Sequence, residues 1–202
     1  PGDALASETA LETFESLGDR FGLIKCLSTN GLLLFEYAER LKKSGVTAVT
    51  VTVNAVDKSI LTKIISSVTY KNRIYTGEEG AEILINNQLS GIRAAGAFAA
   101  VKVNTVLIPG VNDGHIGAIA EAAANAGASL MNIIPLIPAG EFRNLKPPDC
   151  EMLINARAEA EKILPVFRHC MRCRADACGI PGISDFSYKL YDSESSETFS
   201  HG

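Results

Sequence analysis

The chain has 202 residues, 47% of them hydrophobic and 21% charged, with a formal net charge of −4. This composition suits one compact domain with a full core, and a mildly acidic chain without a long basic run argues against a nucleic-acid partner. No apolar run reaches membrane-spanning length and no signal peptide is recognisable, which argues against a membrane role. Five cysteines, an odd number, point to a reducing compartment, the cytoplasm, rather than a disulfide framework.

Taken in order, Pro1-Gly2-Asp3 reads as a loop. Ser7 to Leu17 reads as a helix, with Ser7 at the N-cap and Leu11, Phe14 and Leu17 at helical spacing. Leu23 to Leu27 is a short strand stopped by Ser28-Thr29-Asn30-Gly31. Leu32 to Ser44 is a helix closed by Gly45. Ala48 to Asn54 is a β-branched strand. The spacing from Asp57 to about Val68 permits a helix, and Tyr70 to Gly80 is a polar loop. A long helix follows over Gly80 to Ala95, closed by Gly96. Val101 to Ile108 is a strand, His115 to Asn125 an alanine-rich helix closed by Gly127, and Leu130 to Leu136 a strand. Residues 148–164 form the last helix. Residues 184–202, rich in Ser, Glu and Asp, read as a disordered tail after a domain of residues 1–183.

A strand, a polar loop and a helix recur four times, which predicts parallel strands covered by helices. Four units are too few for a closed eight-stranded barrel, so the fold class is α/β, either a partial barrel or an open sheet. Polar residues cluster after the strands: Ser28-Thr29-Asn30, Asn54, Asn112-Asp113 and Pro138-Ala139-Gly140. In both parallel architectures that edge carries the ligand. Each loop taken singly is equally served by turn formers and helix caps. His115, beside Asp113, is a candidate general base or a solvent-facing capping residue. No Walker or dinucleotide fingerprint and no nucleophile elbow is present.

The densest chemistry lies in His169-Cys170-Met171-Arg172-Cys173-Arg174-Ala175-Asp176-Ala177-Cys178. A CxxC pair aims two sulfurs at one point, and soft thiolates hold zinc or iron–sulfur clusters. Arg168, Arg172 and Arg174 favour the thiolate form. A thioredoxin-like redox pair would precede a helix near the start of a chain. Here the pair follows the last helix, and a metal or cluster site is the favoured reading. His169 is a further candidate ligand. Cys26 sits late in its predicted strand and should face the same rim, unless it is a buried core cysteine. Cys150, at a helix start, has no evident role.

Five stretches in the same order resemble one family. They are Pro1-Gly2-Asp3-Ala4-Leu5; Cys26-Leu27-Ser28-Thr29-Asn30-Gly31-Leu32; Thr50-Val51-Thr52-Val53-Asn54-Ala55-Val56; Val101 to Asp113 with its Leu107-Ile108-Pro109-Gly110; and Cys170-x-x-Cys173-Arg174-Ala175-Asp176-Ala177. The family is NifB, the radical S-adenosylmethionine (SAM) maturases of the nitrogenase cofactor, and the resemblance runs from residue 1 to about residue 182. It implies a partial (β/α) TIM-type barrel of the radical SAM class. It also implies a lyase-type enzyme of iron-molybdenum cofactor biosynthesis that joins two [4Fe–4S] clusters into an eight-iron precursor. The precursor's central carbide comes from the methyl group of one SAM, and a second SAM supplies a 5′-deoxyadenosyl radical. The cofactors implied are SAM and [4Fe–4S] clusters. The partners implied are a cluster donor, a cofactor-carrier or scaffold protein and an electron donor.

Carried over residue by residue, Gly2 and Asp3 meet the methionine amino group, Thr29 and Asn30 line the rim beside it, Asn54 contacts the ribose and Ile108 packs on adenine. Cys170 and Cys173 ligate one auxiliary cluster and Cys26 another. The family's CxxxCxxC, whose three thiolates leave one iron open for SAM, is absent from these residues. The resemblance places it upstream of Pro1, so the chain reads as truncated at its N-terminus and inactive alone. Cys178 stands where an apolar residue is expected, as a tolerated substitution or an alternative ligand. The competing readings are another radical SAM enzyme with an auxiliary cluster, such as a molybdopterin-type cyclase or a peptide-modifying enzyme, and a non-catalytic iron–sulfur carrier or scaffold.

Overall fold

The computed structural model describes residues 3–18 and 22–168. A turn of 3-10 helix at Ala4–Ala6 leads into α1 (Glu8–Leu17), β1 (Lys25–Thr29), α2 (Leu34–Lys43) and β2 (Val46–Thr52). Next come α3 (Lys58–Leu61), the hairpin β3 (Ser67–Tyr70) and β4 (Arg73–Thr76), and the long α4 (Gly77–Gly96). The chain continues through β5 (Ala100–Leu107), α5 (Ile116–Ala126), β6 (Leu130–Pro135) and α6 (Cys150–Glu161). The predicted tail at 184–202 and the cysteine-rich stretch from His169 lie outside the described residues.

The main sheet has the order β1-β2-β5-β6, and every pair is parallel. Each new strand is added on the same side of the last, so the order never reverses. A doubly wound open sheet reverses at a switch point; a barrel wall does not. This settles the choice the sequence left open in favour of the partial barrel.

The two faces of the wall differ. On the outer face Leu27, Val49, Val51, Val101, Val103, Met131 and Ile133 are all at most 4% exposed. They share one core with Leu34 and Leu41 of α2, Ile92 of α4, Ile116 and Ile119 of α5, and Ala156 and Ala160 of α6. Each buried Leu, Ile or Val contributes about 1.5–3 kcal/mol. The inner face carries the alternate residues, and the register sorts them into rungs. From the N-terminal edge these are Cys26, Ala48 and Ala100; then Ser28, Thr50, Lys102 and Leu130; then Thr52, Asn104 and Asn132; then Val106 and Ile134. Strands of a parallel sheet buried on both faces read as continuous apolar runs. This wall is half polar because one face is a barrel interior.

Several predicted elements shift. Leu23 and Ile24 are 60% and 84% exposed, and the first strand instead runs Lys25–Thr29. Ser28 and Thr29, read as turn residues, pair with Thr50 and Val51. The helix expected over Asp57–Val68 shrinks to Lys58–Leu61, capped by Asp57 through the Ser59 and Ile60 amides. The stretch expected as a polar loop at 70–80 instead holds the end of β3, a two-residue hairpin turn, β4 and the start of α4. Lys71 (φ 49°) and Asn72 (φ 60°) supply the paired positive φ of a type I′ turn without the usual Asn-Gly signal. The hairpin is held by a second core, with Leu61 and Val68 against Ala81, Leu84 and Ile85. Among the described residues no helix is long and apolar enough to cross a membrane.

At the far edge, Val166 bridges Met131 in parallel, with Met131 N–H donating to Pro165 (2.9 Å) and Phe167 N–H donating to Met131 (2.8 Å). Arg157 on α6 caps the next carbonyl of β6, its Nη2 donating to Ile133 at 3.0 Å. These bonds blunt an edge that would otherwise present free backbone groups.

Helices α2 and α4 meet at Gly91, where an added Cβ would lie 2.8 Å from the Leu34 Cβ. Leu34 is fully buried and has no room to yield. Gly91→Ala is therefore expected to lower stability by about 1–3 kcal/mol, read as a reduced urea midpoint at constant slope.

Candidate functional site

The C-terminal ends of the strands run out of ladder hydrogen bonds, and side chains take over. Asp3 does this for β1. Its Oδ1 accepts the Leu5 N–H at 2.9 Å and so caps the first turn. The Thr29 hydroxyl donates to both carboxylate oxygens at 2.8 and 2.9 Å, and the Asn30 N–H donates to Oδ2. Thr29 Oγ1 accepts in turn from Gly31 N–H at 3.1 Å, and Asn30 Oδ1 accepts from Leu32 N–H at 2.9 Å. The carboxylate of Asp3 is thus committed to the rim itself.

Asn54 does the same for β2. Its Oδ1 accepts the Val106 N–H at 2.9 Å, standing in for a strand carbonyl. Its own carbonyl accepts from Asn112 Nδ2 at 2.9 Å. Asn112 is completely buried and uses every group: Nδ2 also donates to the Val106 carbonyl (2.8 Å), and Oδ1 accepts the Ile108 N–H (2.8 Å). One amide so ties the ends of β2 and β5 to the following loop. Ile108 is itself only 2% exposed, behind this knot.

His115 does not cap α5. Its Nε2 accepts the Val56 N–H at 3.2 Å, which puts the ring proton on Nδ1 and ties the α5 start to the end of β2. Burial holds its pKa below the usual imidazole value, partly offset by the charge of Asp57. At the α5 N-terminus, Glu159 from α6 accepts the Gly117 N–H at 3.1 Å. Beside it an open groove of about 300 Å³ is lined by Leu107, Asp113, Met152, Asn155 and Glu159.

Gln88 was not anticipated. It is 3% exposed on α4, and its Nε2 donates to two carbonyls at once, Asn30 and Thr52, each at 2.8 Å. A sequence signal existed: Leu84, Ile85, Gln88, Ile92 and Ala95 fall on one helical stripe, and a polar residue interrupts it. Gly31 (φ +86°) makes room, since a Cβ there would meet Gln88 Cγ at 2.9 Å and Val51 Cγ1 at 2.8 Å. Asn104 and Asn132 were also missed. Asn132 Nδ2 donates to Asn104 Oδ1 at 2.9 Å on the inner face, and Asn132 Oδ1 is buried without a partner among the described residues.

The structure therefore brings Asp3, Thr29, Asn30 and Asn54 to one rim, with Ile108 behind it. Cys26 differs from expectation. It is the second residue of β1, near the N-terminal end of the strand, roughly 10 Å below Thr29 at strand spacing. It is exposed on the inner face, paired with the small Ala48 of β2. Gly2, Cys170 and Cys173 lie outside the described residues, as do His169 and Cys178. Among the described residues no three His, Cys, Asp or Glu side chains converge on one point. Cys26 can supply one thiolate to a cluster shared with other segments, and its exposure fits that role. The polar rim and inner face, with hydroxyls and amides, fit the amino acid and sugar of a nucleoside-bearing ligand.

A parallel barrel wall with this rim is the architecture of the radical SAM proteins, and the chain belongs to the Radical SAM superfamily, whose family model it matches over residues 2–123. Among solved structures it is similar to archaeal TYW1, with a TM-score of 0.52 over 80% of this chain and 46% of that one, at 13% identity, a likeness of fold. Among curated proteins it is similar to the FeMo cofactor biosynthesis protein NifB of Methanocaldococcus jannaschii, 47% identical over 182 residues and 89% of this chain. It is likewise 44% identical over 182 residues to the NifB of Methanocaldococcus infernus. The chain spans 60% of the length of each of these relatives.

Two outcomes are expected from these contacts. Asp3→Ala leaves the Asn30 amide without its acceptor, so its hydrogen exchange should accelerate, with a stability loss of about 1–3 kcal/mol. Protonating His115 removes the acceptor of Val56 N–H and charges a half-buried ring. The native state binds that proton less readily than the unfolded chain, so stability is present above the ordinary imidazole pKa and is lost as pH falls from there through the depressed pKa of the folded state. Urea midpoints measured from about pH 7.5 down to about pH 5.5 should decline, and His115→Gln should remove that part of the decline.

Proposed function

We propose that the protein acts in nitrogenase cofactor biosynthesis as a radical SAM enzyme of the NifB type. The observation that carries the reading is the 47% identity over 182 residues to a NifB, beside a Radical SAM family match over residues 2–123 that contains the rim. In this reading two [4Fe–4S] clusters are the substrates, joined into the eight-iron precursor with a carbide drawn from SAM, in a lyase-type reaction. SAM, when bound with its own iron–sulfur cluster, supplies the radical chemistry. The three cysteines for that cluster are not among the five of this chain, at positions 26, 150, 170, 173 and 178.

The chain's own residues bind and orient. The loop at Gly2 and Asp3 and the Thr29–Asn30 rim receive the amino acid of SAM. Asn54 offers its amide Nδ2 to the ribose, because its Oδ1 is taken by Val106. Ile108 backs the adenine side of the rim. Cys26 holds one substrate cluster on the inner face, and Cys170 and Cys173 hold the other. The partners are a cluster donor, a carrier for the product and an electron donor, all cytoplasmic.

The test is anaerobic reconstitution of the full-length protein with iron counting and EPR. Cys26→Ala and the double variant Cys170→Ala/Cys173→Ala should each lose one [4Fe–4S] signal, still cleave SAM and form no eight-iron product. Unchanged iron content and normal product from both would sink the assignment.

A further inference from the structure

We infer that Gln88 is the residue that sets the width of the SAM-binding rim between β1 and β2, an inference that rests on the functional reading above. The parallel ladder between these strands stops at Thr29 opposite Val51. The next rung would pair Asn30 with Thr52, and no backbone bond joins them there. Gln88 supplies that rung from α4. Its single Nε2 donates to both carbonyls at 2.8 Å, so the separation of the two strand ends is fixed by one amide nitrogen. The backbone of Asn30 is then held on both sides, its N–H by Asp3 and its carbonyl by Gln88.

The amide's other atom shows what this arrangement costs. Only the nitrogen can serve two carbonyls, so the orientation of the side chain is forced. Oε1 is left buried with no hydrogen-bond partner among the described residues. Native structures rarely leave such an acceptor unsatisfied, and those that do cluster at functional sites. Leu or Met at this place in the apolar stripe of α4 would serve packing without the penalty. The double bond to the rim is what distinguishes Gln88 from them. Gly31 completes the arrangement, because any larger residue would push Gln88 off the rim.

Gln88 is thus a positioning residue, acting on the ligand through Asn30 and Thr52. The test uses the full-length, reconstituted protein, with SAM and S-adenosylhomocysteine as probes in equilibrium dialysis. Gln88→Met keeps the bulk and removes both bonds. SAM affinity should fall about tenfold, the value of one to two lost net hydrogen bonds, with iron content and cluster EPR unchanged. Gln88→Glu keeps the shape, and its carboxylate cannot donate until protonated. Its affinity relative to wild type should recover in part as pH is lowered through the carboxyl titration, because the neutral acid regains one of the two donors, a profile that a purely packing role does not produce. Wild-type affinity in Gln88→Met, or a flat ratio in Gln88→Glu, overturns the inference alone. A wild-type protein that does not bind SAM overturns the functional reading and the inference together.

Discussion

Apolar side chains on one face of four parallel strands, among them Leu27 on β1 and Ile133 on β6, are buried under the helices. That one-sided burial fixes the register of the whole wall. A slip of one residue in any strand would exchange the faces. Thr50, Asn104 or Asn132 would enter the core, and Val51, Val103 or Ile133 would face the interior. Desolvating such amides and hydroxyls without partners costs more than any local rearrangement returns. The polar inner rungs and the polar rim are therefore positioned by the apolar outer face, although they share no atoms with it.

The rim then solves a second problem. Where strands end, backbone groups lose partners, and a rim open to a ligand cannot simply be covered. Four side chains do the covering: Asp3, Asn54, Gln88 and Asn112. Each replaces a missing rung with an oxygen or nitrogen of its own. The result is a stiff edge made of polar groups. Rigid placement of this kind suits a site whose ligand must be held at a fixed distance from reacting atoms. The inner wall below is looser. The small Ala48 stands beside Cys26, with Ala100 one strand further along the rung, and Lys102 reaches across to the Phe167 ring at 5.4 Å, a charge held over an aromatic face.

Much of the architecture is legible in the amino-acid sequence. The Gly45 and Gly127 stops both take positive φ at helix ends, and the four strand–helix units all occur. The failures have distinct causes. The β3–β4 hairpin was missed because Lys71 and Asn72 occupy a turn that usually advertises itself with Asn-Gly. Thr29 was read as a turn former because its local chemistry suits one, whereas pairing with Val51 draws it into the strand. Gln88 looked like an ordinary helical glutamine. Its partners lie 58 and 36 residues away in sequence, and no local pattern encodes them.

The sequence by itself determined the order of the four parallel strands and their covering helices, the α/β class, the polar strand ends and, through its motifs, the family, because periodicity and motif spacing are local properties of a chain. Only the tertiary structure decided that the strand order runs one way, as in a barrel wall. It alone placed Cys26 low on the inner face and showed that the carboxylate of Asp3 is spent on Thr29 and Asn30. The physical reason is common to all three. Strand neighbours, rung heights and hydrogen-bond partners are set by contacts between distant segments, and those contacts exist only once the outer face has been buried.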